Sequence, residues 1–217
     1  MKYLRKFETE AEIAMSVLPN VVLAKDTGRI IYNVINGVFI QHIDGTLYTT
    51  DEWTAGGFSN DLANGVAVGN GAVKFVIAKT IISTKVAWSS DTSNAVDGVM
   101  LTSDTNAAEK DYAGMANTKL IAATDTSGAA YICAHFEFPN GTKGYLPALG
   151  ELYIAYKNKS AINNAMALIG GANLGTTYYW SSTQHSATRA WAFNVGEGNS
   201  ANDFKSGSGY VRVFAAL

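Results

Sequence analysis

The stretch that decides the fold lies near the C-terminal end, where residues 178–214 read YYWSSTQHSATRAWAFNVGEGNSANDFKSGSGYVRVF. Aromatic and β-branched anchors alternate here with short runs of small polar residues that follow no pattern. Such anchors are typical of strands, because their side chains suit a pleated, half-buried surface. We therefore expect strands over residues 178–183, 190–195 and 210–214, joined by polar loops. Together they would form a rigid frame with freely replaceable exposed positions, as in many binding proteins.

Outside this stretch the sequence predicts short helices and strands. The predicted strands are residues 20–24, 29–34, 37–43, 46–50 and 73–78, of which the first four form two hairpins around Asp26-Thr27-Gly28 and Asp44-Gly45. The predicted helices are residues 9–15, 118–123, 129–136, 148–156 and 161–169, the last capped by Ser160 and ended by Gly170-Gly171. Polar and glycine-rich composition predicts loops at residues 51–71 and 88–111.

The composition limits the classes of function. The chain has 217 residues, of which 47% are hydrophobic and 16% charged, with a net charge of −2. A core can be buried, but no basic surface is available for nucleic acid. Without a basic surface we expect no nucleic-acid binding. No run approaches the ~20 apolar residues of a membrane span, so we expect no membrane insertion. No export signal is visible at the N-terminus. The single cysteine, Cys133, predicts a buried free thiol and no intrachain disulfide.

No pattern of catalytic or metal-binding residues is visible. His42, His135 and His185 are scattered, and none has a partner at ligand spacing; we expect His135 to be buried or to cap its helix. Ser181-Ser182 lacks a nucleophile elbow, and the glycine-rich residues 65–71 lack the Lys-Ser/Thr ending of a phosphate loop. We therefore predict no catalytic residue, no metal and no cofactor.

Four motifs carry a resemblance to a known family. Residues 144–152 read GYLPALGEL, residues 179–183 read YWSST, and Ala190-Trp191 and Val211-Arg212 follow. Together they resemble the variable proteins of diversity-generating retroelements, as found in Bacteroides and their phages. The resemblance covers roughly residues 38–217. It implies an α+β fold, namely a C-type-lectin-like domain of the formylglycine-generating-enzyme type with short helices and irregular β-structure.

The resemblance also implies a domain organisation. Residues 1–37 would form a small N-terminal accessory helix and hairpin segment, similar to a leader on Bacteroides phage structural proteins. Residues 38–217 would form the C-type-lectin-like domain, with a variable region at about 179–217.

In this family a reverse transcriptase copies a template repeat and mutates it at adenines, so that asparagine codons are scattered into many residue types. The resemblance therefore implies variable, ligand-binding positions, hereafter the predicted binding positions: His185, Ser186, Ala187, Thr188, Arg189, Ala192, Asn194, Gly196, Asn199, Ala201, Asn202, Asp203, Phe204, Ser206, Gly207, Ser208 and Gly209. It implies a fixed scaffold, hereafter the frame residues: Trp180, Trp191, Lys205 and Arg212.

The expected function is that of a ligand-binding display protein with a hypervariable C-terminal face, specifically a phage tail receptor-binding adhesin in the virion. A location on the bacterial cell surface is the alternative. The expected partner is a bacterial surface protein or glycan, and the apolar N-terminal strands are compatible with a homo-oligomer. The alternative function is a fixed structural or decoration protein of the virion with a lectin-like domain. We do not expect an enzyme, because Cys133 alone cannot supply the cysteine pair of a formylglycine-generating enzyme.

Overall fold

The computed structural model describes residues 35–217, without the side chains of residues 83 and 84, together with the backbone of residues 21–23 and 30–32. The predicted helix at residues 9–15 lies outside the described residues. Strands β1 (Val21–Leu23) and β2 (Ile30–Tyr32) pair antiparallel, with Val22 opposite Ile31. This pairing confirms the first predicted hairpin.

The first large sheet has five strands in the order β12-β6-β5-β3-β4, and all its pairs are antiparallel. Its strands are β3 (Ile35–His42), β4 (Leu47–Tyr48), β5 (Ala63–Gly71), β6 (Val73–Ala78) and β12 (Phe214–Ala216). The pairing of β3 with β4 confirms the second predicted hairpin, and β6 confirms the strand predicted at residues 73–78. The return strand is shorter than predicted, because Thr49 caps a helix that begins at Thr50.

The loop predicted at residues 51–71 is wrong. This segment forms helix α1 (Thr50–Ala55), a 3₁₀ helix (Asn60–Leu62) and strand β5. Strand β5 is buried along most of its length, so it has no alternation of polar and apolar residues to reveal it. Close packing requires glycine at two of its positions, since a Cβ at Gly65 would collide with the backbone of Ile77 and a Cβ at Gly69 with the backbone of Ile35 on β3.

The second large sheet has the strand order β10-β9-β8-β11-β7. Its strands are β7 (Ile82–Ala87), β8 (Tyr178–Gln184), β9 (Arg189–Asn194), β10 (Asn199–Phe204) and β11 (Ser208–Val211). All pairs are antiparallel except β11 with β8, which run parallel with Tyr210 opposite Tyr179. The expectation of a polar loop over residues 199–204 is wrong, because β10 pairs along its whole length with β9. As an edge strand, β10 needs no continuous apolar face.

Short helices complete the fold. They are α2 (Thr105–Ala108), α3 (Gly114–Thr124), α4 (Ala129–His135), α5 (Leu149–Lys157) and α6 (Lys159–Leu168). The four helices predicted between residues 118 and 169 are confirmed. Ser160 lies inside α6 and does not cap it, because Asn158 both ends α5 and precedes α6. None of the helices in the described part of the chain is long and apolar enough to cross a membrane.

Cys133 is buried in α4, as predicted, and burial raises the pKa of its thiol. His135 is exposed in the last turn of the same helix, so of the two expected roles burial is wrong and capping of the helix is confirmed. Its Nδ1 lies 2.8 Å from the carbonyl oxygen of Tyr131, and the two rings are 3.9 Å apart. The ring is therefore held along its own helix, not in the core.

The second sheet has core on both of its faces. Tyr179, Trp191 and Phe193 belong to one buried cluster, which also contains side chains of the first sheet and of α5 and α6. Trp180 and Val211 belong to a second cluster, which contains Trp88 and residues of α3 and α4. The architecture is thus α+β, with two largely antiparallel sheets and short helices, which confirms the predicted class. The assignment to the C-type-lectin-like type belongs to the proposal below.

A buried carboxyl group holds the start of α5. Glu151 is 4% exposed, and its Oε2 accepts a hydrogen bond from the backbone N–H of Ala148 at 2.7 Å. Its Oε1 accepts one from the hydroxyl of Tyr145 at 2.9 Å. Burial, assisted by the nearby charge of Asp111, raises the pKa of Glu151 to about 8, against the lowering effect of the hydrogen bonds from Ala148 and Tyr145. The folded chain therefore holds a proton at Glu151 at neutral pH.

This raised pKa predicts that stability falls as pH rises. Between pH 4.5, the ordinary pKa of this carboxyl, and about pH 8, the folded state binds one more proton than the unfolded state. The free energy of unfolding should then fall by up to about 1.4 kcal/mol per pH unit. Denaturant titrations between pH 5 and pH 8 measure this slope, and Glu151→Gln should flatten it.

The matched control is Glu197→Gln, which removes an exposed carboxylate. It should leave the slope as in the parent chain. An equal slope in the parent and in Glu151→Gln would contradict the assignment of the proton to Glu151.

Candidate functional site

Strand β8 is the centre of the C-terminal sheet and buries four consecutive polar side chains, Ser181 to Gln184. The pairing of β8 with β9 shifts between Trp180 and Gln184, so the strand bulges there. The hydroxyl of Ser181 donates to the carbonyl of Trp191 at 2.9 Å, and that of Thr183 donates to Asp111 at 2.8 Å. Each polar group thus has a partner, as burial requires.

Gln184 ties β8 to the loop that follows β7. Its side-chain oxygen accepts from the backbone N–H of Val96 at 2.8 Å, and its amide nitrogen donates to the carbonyl of the same residue at 3.0 Å. The backbone of Gln184 also pairs with Met100 and Thr102. The long loop at residues 88–104 is therefore fastened to the C-terminal sheet, not free of it.

The two tryptophans predicted as frame residues are buried, Trp180 at 2% exposure and Trp191 at 4%. The indole Nε1–H of Trp180 donates to Val86 O at 3.0 Å, and that of Trp191 donates to Thr102 O at 2.8 Å. Both indoles therefore fill core space and satisfy their one polar group, which confirms their packing role.

The two cations predicted as frame residues are also fully buried. The ammonium of Lys205 donates to Asn94 O at 2.7 Å and to Gln184 Oε1 at 3.0 Å, and it lies 4.6 Å from the ring centre of Trp88. Burial lowers its pKa. Arg212 donates through Nη2 to two carbonyl oxygens, and burial lowers its pKa to about 10. Lys205 thus anchors a tight turn between β10 and β11.

Most predicted binding positions lie at the surface around this frame. The exposed ones are Ala187, Thr188, Asn199, Asp203, Phe204, Ser206 and Ser208. The half-buried ones are His185, Ser186, Arg189, Ala201, Asn202 and Gly207. They lie on strands β9 to β11 and on the turns that join these strands to each other and to β8.

Strand β10 divides these positions between two faces of the sheet, because side chains alternate along a strand. Asn202 and Phe204 lie on the same side as Arg189. The guanidinium of Arg189 donates to Asn202 Oδ1 at 3.0 Å and stacks 3.9 Å from the ring centre of Phe204, which is 51% exposed. Ala201 and Asp203 lie on the other face.

On that other face the sheet forms a cleft of about 310 Å³, hereafter the β8–β11 cleft. Trp180, Ala192 and Ala201 lie opposite one another on adjacent strands and form its floor. Of the predicted binding positions, those that line it are Ala192, Ala201, Asp203, Ser208 and Gly209, and Asn202 borders it between Ala201 and Asp203 although its side chain bonds Arg189 on the opposite face. The structure thus brings together predicted binding positions as distant in the sequence as Ala192 and Gly209, which are 17 positions apart.

The sequence prediction missed four further residues that line the cleft: Lys85, Thr177, Tyr178 and Tyr210. The two tyrosines stood out in the sequence, but as strand anchors. Tyr178 is 38% exposed at the start of β8, and an exposed aromatic at a strand end is a signal for binding that could have been used. Lys85 carries no such signal, because only the pairing of β7 with β11 brings it here.

Four of the predicted binding positions are not free surface. Ala192 is 7% exposed and Asn194 is 3% exposed, so neither presents a replaceable side chain. Asn194 accepts hydrogen bonds from the backbone of Gly196 and Glu197 and holds the turn after β9. Side chains at Gly196 and Gly209 would collide with neighbours. A Cβ would lie 2.5 Å from Thr176 Cα in the first case and 2.6 Å from Trp180 Nε1 in the second.

His185 is partly a core residue. Its ring packs against Trp191 with centroids 4.9 Å apart, and burial, together with the charge of Arg189, lowers its pKa. Among residues 35–217, no three His, Cys, Asp or Glu side chains come together as metal ligands do.

Comparisons with known proteins add a likeness of fold. No protein-family pattern matches the sequence, and no curated protein matches it. A solved structure, that of a fimbrial protein from Bacteroides ovatus, is similar with a TM-score of 0.58 and 12% identity. The match covers 85% of this chain and 49% of the other, so this chain spans about half the length of that protein. At this identity the likeness shows the fold alone.

The burial of Lys205 predicts a structural role for its charge. Lys205→Met keeps the chain length but leaves Asn94 O and Gln184 Oε1 without their donor, so the free energy of unfolding should fall by about 2 kcal/mol. Chemical denaturation measures the loss, and hydrogen exchange should show faster opening of residues 88–96. Lys119→Met, at an exposed helix position, is the control and should change stability by less than about 0.5 kcal/mol. Equal stability in both variants would refute the role of Lys205.

The close contact at Gly209 predicts that this position is not replaceable. Gly209→Val should lower the free energy of unfolding by about 1–3 kcal/mol, because the side chain must displace Trp180. The neighbouring Ser208→Val, on the same strand and exposed, should stay within about 0.5 kcal/mol of the parent. Thermal unfolding of the two variants decides, and a Gly209→Val chain as stable as Ser208→Val would show that the turn adapts.

Proposed function

We propose that this chain is a ligand-binding display protein whose binding face is the C-terminal sheet of strands β8 to β11. One observation supports this most strongly. The frame residues are 0–4% exposed and make specific hydrogen bonds, whereas most of the small polar residues between them lie at the surface. Within this one stretch of chain, the residues that maintain the fold are different from those that lie at the surface. The surface residues can therefore be replaced while the fold is kept.

The chemistry of this surface suits adaptable binding without catalysis. Serine, glycine and asparagine offer hydrogen bonds in many geometries, and rigid anchors supply contact area. Phe204 and Arg189 form such an anchor, because the guanidinium holds an exposed ring in place. The contacts would be spread over a shallow face, so several copies on one particle would raise the effective affinity by roughly 10²–10⁴ through avidity.

The biological setting follows from the resemblance to variable proteins of diversity-generating retroelements. We propose a C-type-lectin-like domain over residues 38–217, diversified at the surface positions of its C-terminal sheet. We place it on a phage tail as a receptor-binding component that recognises a bacterial surface protein or glycan. The likeness of fold to a fimbrial protein supports display at a surface in general, and so also fits the alternative of a bacterial cell surface.

The proposal predicts a pattern of natural variation. Sequencing of the gene in its natural population should show differences at the surface positions between codons 185 and 208. The codons for Trp180, Trp191, Lys205 and Arg212 should be spared, and so should those for the four constrained positions described above. Two naturally differing chains, each attached in many copies to a bead, should then bind different bacterial strains.

Three outcomes would contradict this proposal. An invariant C-terminal stretch, with no near-copy repeat in the flanking DNA, would indicate a fixed structural or decoration protein. If the C-terminal stretch varies but neither kind of bead binds any bacterial strain, the diversified surface does not recognise a bacterial receptor. Variation that falls equally on the buried frame and on the surface would show that no selection for a fixed scaffold exists.

A further inference from the structure

We propose that the β8–β11 cleft is a saccharide subsite that takes one neutral pyranose ring of a surface glycan, without a metal ion. This inference rests on the proposed function, in that it treats the C-terminal sheet as the binding face. It adds a ligand class, and it assigns binding to residues outside the diversified set.

The shape of the cleft fits a single ring. Its volume of about 310 Å³ lies at the lower end of the range for small-molecule sites. The floor is made of small side chains, Ala192 and Ala201, over the buried indole of Trp180. Gly209 contributes no side chain at all, because a Cβ there would meet Trp180. The floor is therefore shallow and flat.

Aromatic side chains line this cleft, as pyranose recognition requires. Tyr178 is 38% exposed, whereas Tyr210, on the neighbouring strand β11, is half-buried and also packs against the core cluster that contains Tyr179. An all-equatorial pyranose presents C–H groups on its ring faces, and these pack on the electron-rich face of an aromatic ring. The ammonium of Lys85 lies 5.0 Å from the ring centre of Tyr210, which restricts the motion of that ring.

Polar groups at the rim match the hydroxyl groups of a sugar. Asp203 is exposed on β10 and its carboxylate can accept from two adjacent hydroxyls, while its Oδ1 already accepts from the backbone of Phe204 at 2.7 Å. Ser208 and Thr177 add hydroxyl groups that both donate and accept. A pyranose ligand needs this combination of carboxylate and hydroxyl groups, whereas an apolar side chain of a protein ligand does not.

The charges of the cleft favour a neutral ligand. Lys85 is the one cation among the cleft residues, and Asp203 is the one anion. A polyanionic ligand would meet the carboxylate, and a cationic peptide would meet the ammonium. Folded protein surfaces recognised at high affinity need a larger area with buried anchors, which a cleft of this size does not offer.

The cleft is lined by both constant and variable residues. Lys85, Thr177, Tyr178 and Tyr210 line the cleft but are not predicted binding positions, so they stay constant when the surface is diversified. The constant residues would hold the ring, whereas Asp203 and Ser208, which can vary, would select among hydroxyl configurations. Ala201 in the floor can also vary, so only variants with a small residue at position 201 would keep the subsite open.

The test uses the full chain and three probes: methyl β-D-glucopyranoside, methyl β-D-galactopyranoside and methyl α-D-mannopyranoside. Saturation-transfer NMR should show transfer to at least one glycoside, strongest at the axial C–H protons of one ring face, and unchanged by EDTA. Tyr178→Ala should weaken binding about tenfold, which corresponds to about 1.4 kcal/mol. Tyr112→Ala is the matched control, because Tyr112 is 43% exposed and lies outside the cleft lining.

Ala201→Trp provides a second variant that fills the cleft from β10 and leaves Tyr178 in place. It should abolish the saturation transfer. No transfer to any of the three glycosides would overturn the saccharide subsite, and so would transfer that persists in both Tyr178→Ala and Ala201→Trp.

The failure of this inference can be distinguished from that of the proposed function. Beads that bind bacterial strains equally well with the parent and with Ala201→Trp would retain the display function and overturn the sugar subsite. Glycoside binding that Ala201→Trp removes, in a chain whose C-terminal stretch is invariant, would support the subsite and overturn diversification.

Discussion

The structure depends on the burial of polar side chains in the central strand of the C-terminal sheet. Ser181, Ser182, Thr183 and Gln184 have no exposure to solvent, so each needs a protein partner. The partners come from distant parts of the chain, including Asp111 in the segment before α3 and Val96 in the loop after β7. One strand thereby fixes the positions of the long loop after β7 and of the short segment before α3.

The buried cations extend this arrangement to the edges of the sheet. Lys205 lies within a turn of small polar residues, and its ammonium reaches inward to Asn94 and Gln184. Arg212 reaches Ala78 at the end of β6 and so joins the two sheets. A buried charge that is hydrogen-bonded in one geometry specifies position more strictly than an apolar side chain, because an alternative position would leave it unpaired. The turn at residues 205–207 is therefore held in place by its buried lysine, while Ser206 in the same turn is exposed.

The two faces of β10 differ in their chemistry. Arg189, Asn202 and Phe204 form a ridge of stacked and hydrogen-bonded side chains on one face. The cleft beside Tyr178 and Tyr210 lies on the other. A ligand that contacts the edge strand meets both. This two-sided geometry arises only because residues 199–204 form a strand.

Most of the helices and both N-terminal hairpins, and with them the mixture of helices and strands, are predictable from the sequence alone. These features depend on local patterns, such as turn dipeptides, helical spacing and isolated large aromatics. Tertiary structure alone decided the strand at β5, since burial on both faces leaves no alternation, and the strand at β10, since an edge strand needs no apolar face. It also decided which small residues are replaceable. Gly209 and Ser208 look equivalent in the sequence, but only the packing of Trp180 against the backbone makes a side chain impossible at Gly209.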